Sequence, residues 1–422
     1  MAIKGADLQV EHRECNVRPG EYVLPVHSAV STRESQPGAD IAVPDCGERD
    51  ILFMAPTFGV LSEIWLKRTF NILRPYIRST ACFSTKRPTE PRCSLQIRPG
   101  SRFRRLVRAA VGGEVELQLL ALLLKTQGIK RILINYATMA VATLRAWENT
   151  NTKVFVYCHG WDIHLHARSE AWPHKLVHNR EYAEKLRGLS SRVTFIANSE
   201  FTKGVLVEAG IPEQVIRVNY FGVPTPALDH RTEKASQREL RLLFLGRLMD
   251  CKGPDLVIKS FEKAVTRGLH GRLIIAGDGP VLNACELLKA DSKFSRLIEI
   301  RGPVDETQAH RLYSEADLFV CLHRKGPITQ REEAFGVTII EAMSYGLPVI
   351  TGRSGGVPES VRHGETGFLV EPGDVDAHSN YILRLATDAG ERRRIGLAAA
   401  RHVQKNFSPR QEQDGLFRIL RS

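Results

Sequence analysis

Twice along its length this chain alternates short apolar runs with stretches of helical spacing, and that alternation leaves few folds open. The first series contains "DILFMAP" (50–56), closed by Pro56, then "RILINY" (131–136), "KVFVYC" (153–158) and "VTFIAN" (193–198). Between the first two lies "LSEIWLKRTFNIL" (61–73), whose Leu61, Ile64, Trp65, Phe70 and Leu73 recur at helical intervals. The second series restarts with "LRLLFLGR" (240–247) and the helical "PDLVIKSFEKAVTRG" (254–268). It continues through "GRLIIAGDG" (271–279), "LIEIRG" (297–302), "DLFVCL" (317–322) and "LPVITG" (347–352). Apolar strands separated by helices call for a parallel sheet covered on both faces. The predicted class is α/β, with two Rossmann-like doubly wound domains facing a central cleft. Ligands of such sheets bind outside the carboxyl ends of the strands, so the cleft is the expected site.

A length of 422 residues suits two domains of ordinary size. Residues 1–48 are polar and aperiodic and read as a flexible extension. The N-terminal domain is placed at 49–225 and the C-terminal domain at 226–407, joined through the proline- and charge-rich "FGVPTPALDHRTEKASQREL" (221–240). A helix over 408–422 is expected to pack back on the first domain. Near residue 374 the chain spells Asp374-Val375-Asp376, an acid pair of the kind that holds a divalent metal in some sugar transferases. It opens a helix instead of ending a strand, so Asp374 is read as a cap and no metal site is expected.

No uninterrupted apolar run reaches membrane-spanning length, and the start lacks the apolar centre of a secretory signal. The expected location is cytoplasmic. The eight cysteines are scattered and form no C-x-x-C pair, which favours reduced, buried thiols over disulfides or zinc. The formal net charge of +12 points to an anionic partner. Arg98, Arg102, Arg104, Arg105 and Arg108 cluster in "IRPGSRFRRLVRAA" (97–110), either a solvated basic face or a peripheral contact with an anionic inner-membrane surface. No recognition module accompanies the charge, so nucleic acid is not expected.

The chemistry concentrates in "EEAFGVTIIEAMSYGLPVITGRSGGVPE" (332–359). Gly336 lets a ligand approach the backbone. The following helix offers unpaired N–H groups at Gly336, Val337 and Thr338, an anion site strengthened by the helix dipole. Glu333 lies just before that turn and Glu341 within the helix, so the two acids can bracket a ligand whose anionic middle rests on the helix start. A carboxylate accepts paired sugar hydroxyls well. Arg247 and Lys252 in "FLGRLMDCKG" (244–253) follow a strand end and suit a diphosphate. A molecule with hydroxyls on both sides of a diphosphate is a nucleotide sugar.

These stretches, together with "LIIAGDGP", "NSEFTKGVLVEAGI", "HGWD" and "GETGFLVEPGD", run in an order that resembles the large family of retaining glycosyltransferases of the GT-B fold (family 4). That family carries a glutamate pair with seven residues between and includes bacterial polysaccharide and mannosyl transferases. The resemblance implies an acceptor-binding N-terminal domain and a donor-binding C-terminal one. It implies that Glu333 contacts the donor sugar, Glu341 and the segment Phe335, Gly336, Val337 and Thr338 hold the nucleotide, and Arg247 and Lys252 meet the diphosphate. It places His159 beside the sugar, Asp162 where it orients the acceptor or the loop, and Gly59 of "PTFGVLSE" (56–63) near the diphosphate. No cofactor and no metal are implied; the partners are a nucleotide-sugar donor and a glycan or lipid-linked acceptor. The expected function is hexosyl transfer with retention. The alternatives are an epimerase or phosphorylase of the same fold and a non-catalytic partner subunit.

Overall fold

The computed structural model describes residues 49–56, 63–83, 95–97, 115–169, 174–226 and 239–422, with backbone alone at 83, 95–97 and 115–116. Residues 1–48, Gly59, the arginine cluster at 98–108 and most of the 221–240 connection lie outside the described residues. Among the described residues the first sheet has seven strands. They are β1 (Ile51–Ala55), β2 (Ile77–Phe83), β3 (Leu95–Ile97), β4 (Arg131–Asn135), β5 (Lys153–Cys158), β6 (Val193–Ala197) and β7 (Ile216–Val218). The second has six: β8 (Leu240–Leu245), β9 (Gly271–Ala276), β10 (Ile298–Ile300), β11 (Leu318–Val320), β12 (Val349–Gly352) and β13 (Gly367–Val370). All pairings within them are parallel.

The strand orders are β3-β2-β1-β4-β5-β6-β7 and β10-β9-β8-β11-β12-β13. In each sheet the order of strand addition reverses between its first and fourth strands, at β1/β4 and at β8/β11. Crevices open there, outside the carboxyl ends. Whatever follows Ala55, Asn135, Leu245 and Val320 is therefore brought to the cleft.

β1 shows why both faces must be covered. Ile51, Phe53 and Ala55 point into one apolar cluster and Leu52 and Met54 into another, the two-residue period of a strand. The first cluster includes Leu66 and Phe70 of the helix Ile64–Leu73 and Leu416 and Ile419 of the helix Pro409–Arg421, and it runs on into the second lobe. The second sheet is covered likewise. The helix Pro254–Thr266 starts with proline at its first position and buries Val257, Ile258, Phe261 and Ala264. Each fully buried side chain of this size stabilises by roughly 1.5–3 kcal/mol.

The helix Pro409–Arg421 returns to the first lobe. Ser408 caps it, Phe417 meets Tyr76 with ring centroids 4.8 Å apart, and Glu412 accepts from Thr69 Oγ1 and from the Gly222 N–H, each at 2.8 Å. Asp374 caps the helix Val375–Thr387 by accepting from the Ala377 N–H, and Asp376 pairs with Lys263 at 2.6 Å. The described cysteines, Cys82, Cys158, Cys251, Cys285 and Cys321, are buried free thiols. No described helix is long and apolar enough to cross a membrane.

Candidate active site between the two lobes

The loop after β11 and the turn after β8 meet at the second switch point. Asp250 in the β8 turn is buried, and its carboxylate accepts from the N–H groups of Ile328 and Thr329, both at 2.8 Å, and from Thr329 Oγ1 at 2.7 Å. Arg324 donates to the Asp250 carbonyl at 3.0 Å and to both Asp255 oxygens at 3.1 and 2.8 Å. The segment 323–333 is thus fixed before it delivers Glu333. Behind it, Gly355 and Gly356 lie on its backbone. A Cβ on either would fall 2.1 Å from the Glu333 or Ala334 carbonyl oxygen, so no larger residue fits there without moving the site.

Lys252 donates to Glu333 Oε2 at 2.5 Å. His323 Nε2 lies 3.4 Å from the same oxygen, and its Nδ1 is 3.0 Å from Thr351 Oγ1. Burial would lift the Glu333 pKa, but Lys252 and His323 overcome it and hold the acid well below the usual carboxylate range. Burial pulls Lys252 down, and the Glu333 charge more than restores it. His323 is also opposed by burial, yet Cys321 and Glu333 raise it to about 9. Glu333 is therefore an oriented anion held between two cations.

The helix Val337–Ser344 begins beside this cluster. Its preceding residue, Gly336, has φ +89°. Ile339 is the first residue of the helix whose N–H bonds back, to the Gly336 carbonyl; among the described residues the N–H groups of Gly336, Val337 and Thr338 meet no acceptor. Thr338 Oγ1 and Lys252 Cδ are 3.8 and 3.9 Å from the position a Cβ would take on Gly246, so the strand end, the lysine and the helix start share one space. Arg247 follows Gly246 and is exposed. Burial raises the pKa of Glu63 across the cleft; its bond from the Tyr136 hydroxyl, at 2.7 Å, and the charge of Arg247 act against that. Glu341, within the helix, forms an ion pair with Arg68 at 2.7 Å and accepts from the Tyr313 hydroxyl at 3.0 Å.

The first lobe contributes the turn after β5. His159 is boxed by rings of Trp65, Tyr136, Tyr157 and Phe221 at centroid distances of 4.0, 4.6, 4.9 and 5.8 Å. Burial holds its pKa well below the usual imidazole range, so it is neutral. Both its ring nitrogens are buried and lack a hydrogen-bond partner among the described residues. Contacts seal the lobes around it. Ser199 Oγ donates to the Ala334 carbonyl at 2.6 Å, and the Arg168 N–H to that of Thr329 at 2.8 Å. Glu359 of the second lobe caps the first-lobe helix Glu200–Glu208, accepting the N–H groups of Glu200 and Phe201 at 2.8 Å each.

Glu333, Lys252, Arg247, Thr338, Val337, Gly336, Glu341 and His159 thus converge on the cleft. Of its two expected roles Asp162 takes the loop and not the acceptor, and Phe335 does not face the ligand space. Asp162 is fully buried, and its oxygens accept from the N–H groups of Ala137 and His159 at 2.7 and 3.0 Å. Burial raises it to about 6 while those donors oppose the rise. It shapes the loop and has no surface for an acceptor. Phe335 turns its ring into the core against Tyr220 and Phe407, each at 5.4 Å, and anchors the helix start from behind. His323, Asp250, Glu63, Arg68 and Tyr313 went unread. His323 and Asp250 follow the switch-point strands β11 and β8, and that position was the available signal.

Comparison with known proteins places this geometry. Residues 228–402 match the model of the family described as glycosyl transferases group 1. The chain is 30% identical over 223 residues to a GDP-mannose-dependent α-(1-6)-phosphatidylinositol monomannoside mannosyltransferase of Mycobacterium tuberculosis, covering 50% of this chain and 56% of that one. It is 25% identical over 274 residues to the amylovoran biosynthesis glycosyltransferase AmsK of Erwinia amylovora, covering 65% of each. The chain spans about half the length of the mannosyltransferases it matches. Among solved structures it shares the fold of Anabaena HepE in complex with UDP and glucose, with TM-score 0.68, 17% identity and coverage of 89% of this chain and 100% of that one. A sucrose-phosphate synthase from Thermosynechococcus elongatus gives TM-score 0.68 at 20% identity, covering 88% and 98%.

Proposed function

From the match of residues 228–402 to the glycosyl transferases group 1 family, we propose that the chain is a retaining hexosyltransferase of that family. It moves a hexose from a nucleoside-diphosphate sugar to a hydroxyl of a glycan or lipid-linked acceptor in polysaccharide biosynthesis. The observation that carries this reading is the Glu333 carboxylate, ionised between Lys252 and His323, beside an open helix start at a switch point.

In this reading the diphosphate lies on the N–H groups of Gly336, Val337 and Thr338, with Arg247 and Lys252 as counter-charges. Glu333 accepts from hydroxyls of the donor sugar, and Glu341 from those of the ribose. Neutral His159 faces the sugar from the first lobe, at the centre of its aromatic box. The glycosidic C–O bond breaks toward the diphosphate, and the acceptor oxygen attacks the same face. Its proton passes to a diphosphate oxygen. Preorganised cations and helix N–H groups stabilise the charge that builds on the leaving group. The interlobe contacts at Ser199, Arg168 and Glu359 exclude water that would otherwise hydrolyse the donor.

The test is a panel of UDP-, GDP- and ADP-hexoses assayed for thermal stabilisation, then for transfer to glycan and lipid-linked acceptors, with the product's anomeric configuration read by NMR. Retained configuration supports the reading. An inverted product, release of a free sugar epimer, or a requirement for inorganic phosphate overturns it.

A further inference from the structure

The acid assigned to the ribose already has a partner from the other lobe. Arg68, on the first-lobe helix Ile64–Leu73, sets a guanidinium nitrogen 2.7 Å from Glu341 Oε1. Tyr313 bonds the other oxygen at 3.0 Å. The Arg68 and Glu341 side chains are 17% and 12% exposed, so solvent screens the pair little. Lys67, next on the same helix, reaches Glu306 at 3.3 Å, on the helix that carries Tyr313. Ile64, Arg68, Val223, Tyr313, Glu341 and Tyr345 line one cavity. Arg68 is also within electrostatic reach of Glu412, the buried acid of the returning helix.

We propose that Arg68 is a latch on the nucleotide subsite: its guanidinium holds Glu341 until the ribose hydroxyls of a nucleoside diphosphate displace it. One guanidinium nitrogen sits at Glu341 Oε1, and a vicinal diol presenting paired donors to the carboxylate competes for that oxygen. The latch holds the empty cleft shut with a contact that the donor itself replaces, and nucleotide affinity is lowered by the work of opening it. This inference rests on the assignment of the ribose to Glu341.

Calorimetric titration of the full chain with UDP and with GDP tests it, on the wild type, R68M, R68K and E341A. R68M is expected to lower the Kd of the preferred nucleotide severalfold, up to about tenfold. R68K, which keeps the charge without the fork, should fall between R68M and the wild type. E341A should weaken binding by about tenfold or more. An unchanged or weaker affinity in R68M, with E341A impaired, overturns the latch and leaves the ribose assignment standing. Unchanged affinity in E341A overturns the assignment itself. Melting of the ligand-free variants confirms that each folds; should R68M not fold, R68K decides alone, since an affinity no tighter than wild type sinks the latch.

Discussion

Gly160 of the first lobe rests against Ala334 of the second, so closely that a Cβ on the glycine would lie 2.8 Å from the Ala334 Cβ. The glycine also has φ +109°, which other residues rarely adopt. It sits between His159, in its aromatic box, and the residue next to Glu333. Gly160→Ala is therefore expected to push the lobes apart at the reacting centre. Turnover should fall by about a hundredfold, while nucleotide affinity, which rests on second-lobe groups and on release of the Arg68 contact, should not weaken. Steady-state kinetics with parallel nucleotide titrations separate the two effects. An equal loss in both would mean that the glycine supports the second lobe's own fold.

Glu333→Gln keeps the shape of the side chain and removes the charge that Lys252 and His323 surround. Transfer should drop by about a hundredfold or more, and nucleotide affinity should change little because Glu341, Arg247 and the helix start remain. Initial rates of product formation check this. Turnover within a few-fold of wild type would remove Glu333 from the assigned role.

Lys252→Met leaves the buried Glu333 carboxylate with His323 alone. Removing one partner of a buried pair destabilises by about 3 kcal/mol. Chemical denaturation should show that loss, and the double variant with Glu333→Gln should recover part of it, since no unpaired charge then remains. Equal stabilities of the single and double variants would show that the pair is not coupled.

Glu412 gives a pH dependence of opposite sign to that of ordinary acids. Burial raises its pKa to about 7, against 4.5 for the exposed group, with the Gly222 and Thr69 donors opposing the rise. The folded state holds a proton that the unfolded chain has released. This contribution is fully present below about pH 4.5 and is lost as pH rises through about 7. Relative to Glu412→Gln, the wild type should lose about 3 kcal/mol over that window. Denaturation curves at pH 5 and at pH 7.5 measure it. Parallel pH dependences in the two proteins would mean that the acid is hydrated.

Much of the fold was legible because its strands are apolar on both faces. Runs such as "RILINY", "KVFVYC" and "LPVITG" became β4, β5 and β12 with little change of boundary. The strands that escaped notice are of two kinds. β2 reads Ile-Arg-Ser-Thr-Ala-Cys-Phe, with a polar middle, and β3, β7 and β13 are edge strands of three or four residues with too little sequence to show a period. Within the site, the helix start and the glutamates were readable because their neighbours are local. Arg68 and Tyr313 were not, because they meet Glu341 from helices remote in sequence, where only the closed fold brings them together. Asp162 had two open roles for a related reason. An acid four residues beyond a strand end suits a ligand or a loop equally, and the deciding N–H groups belong to the chain around it.

The returning helix Pro409–Arg421 has a consequence for biogenesis. Thr69, Tyr76 and Gly222 find their partners on residues synthesised after the whole of the second sheet. The lobe that leaves the ribosome earlier is thus finished later, and its apolar strip around Leu66 and Phe70 stays uncovered throughout that interval. A released chain ending at residue 407 should carry a complete second lobe attached to a first lobe still open along one flank, and that flank is where a chaperone would be needed.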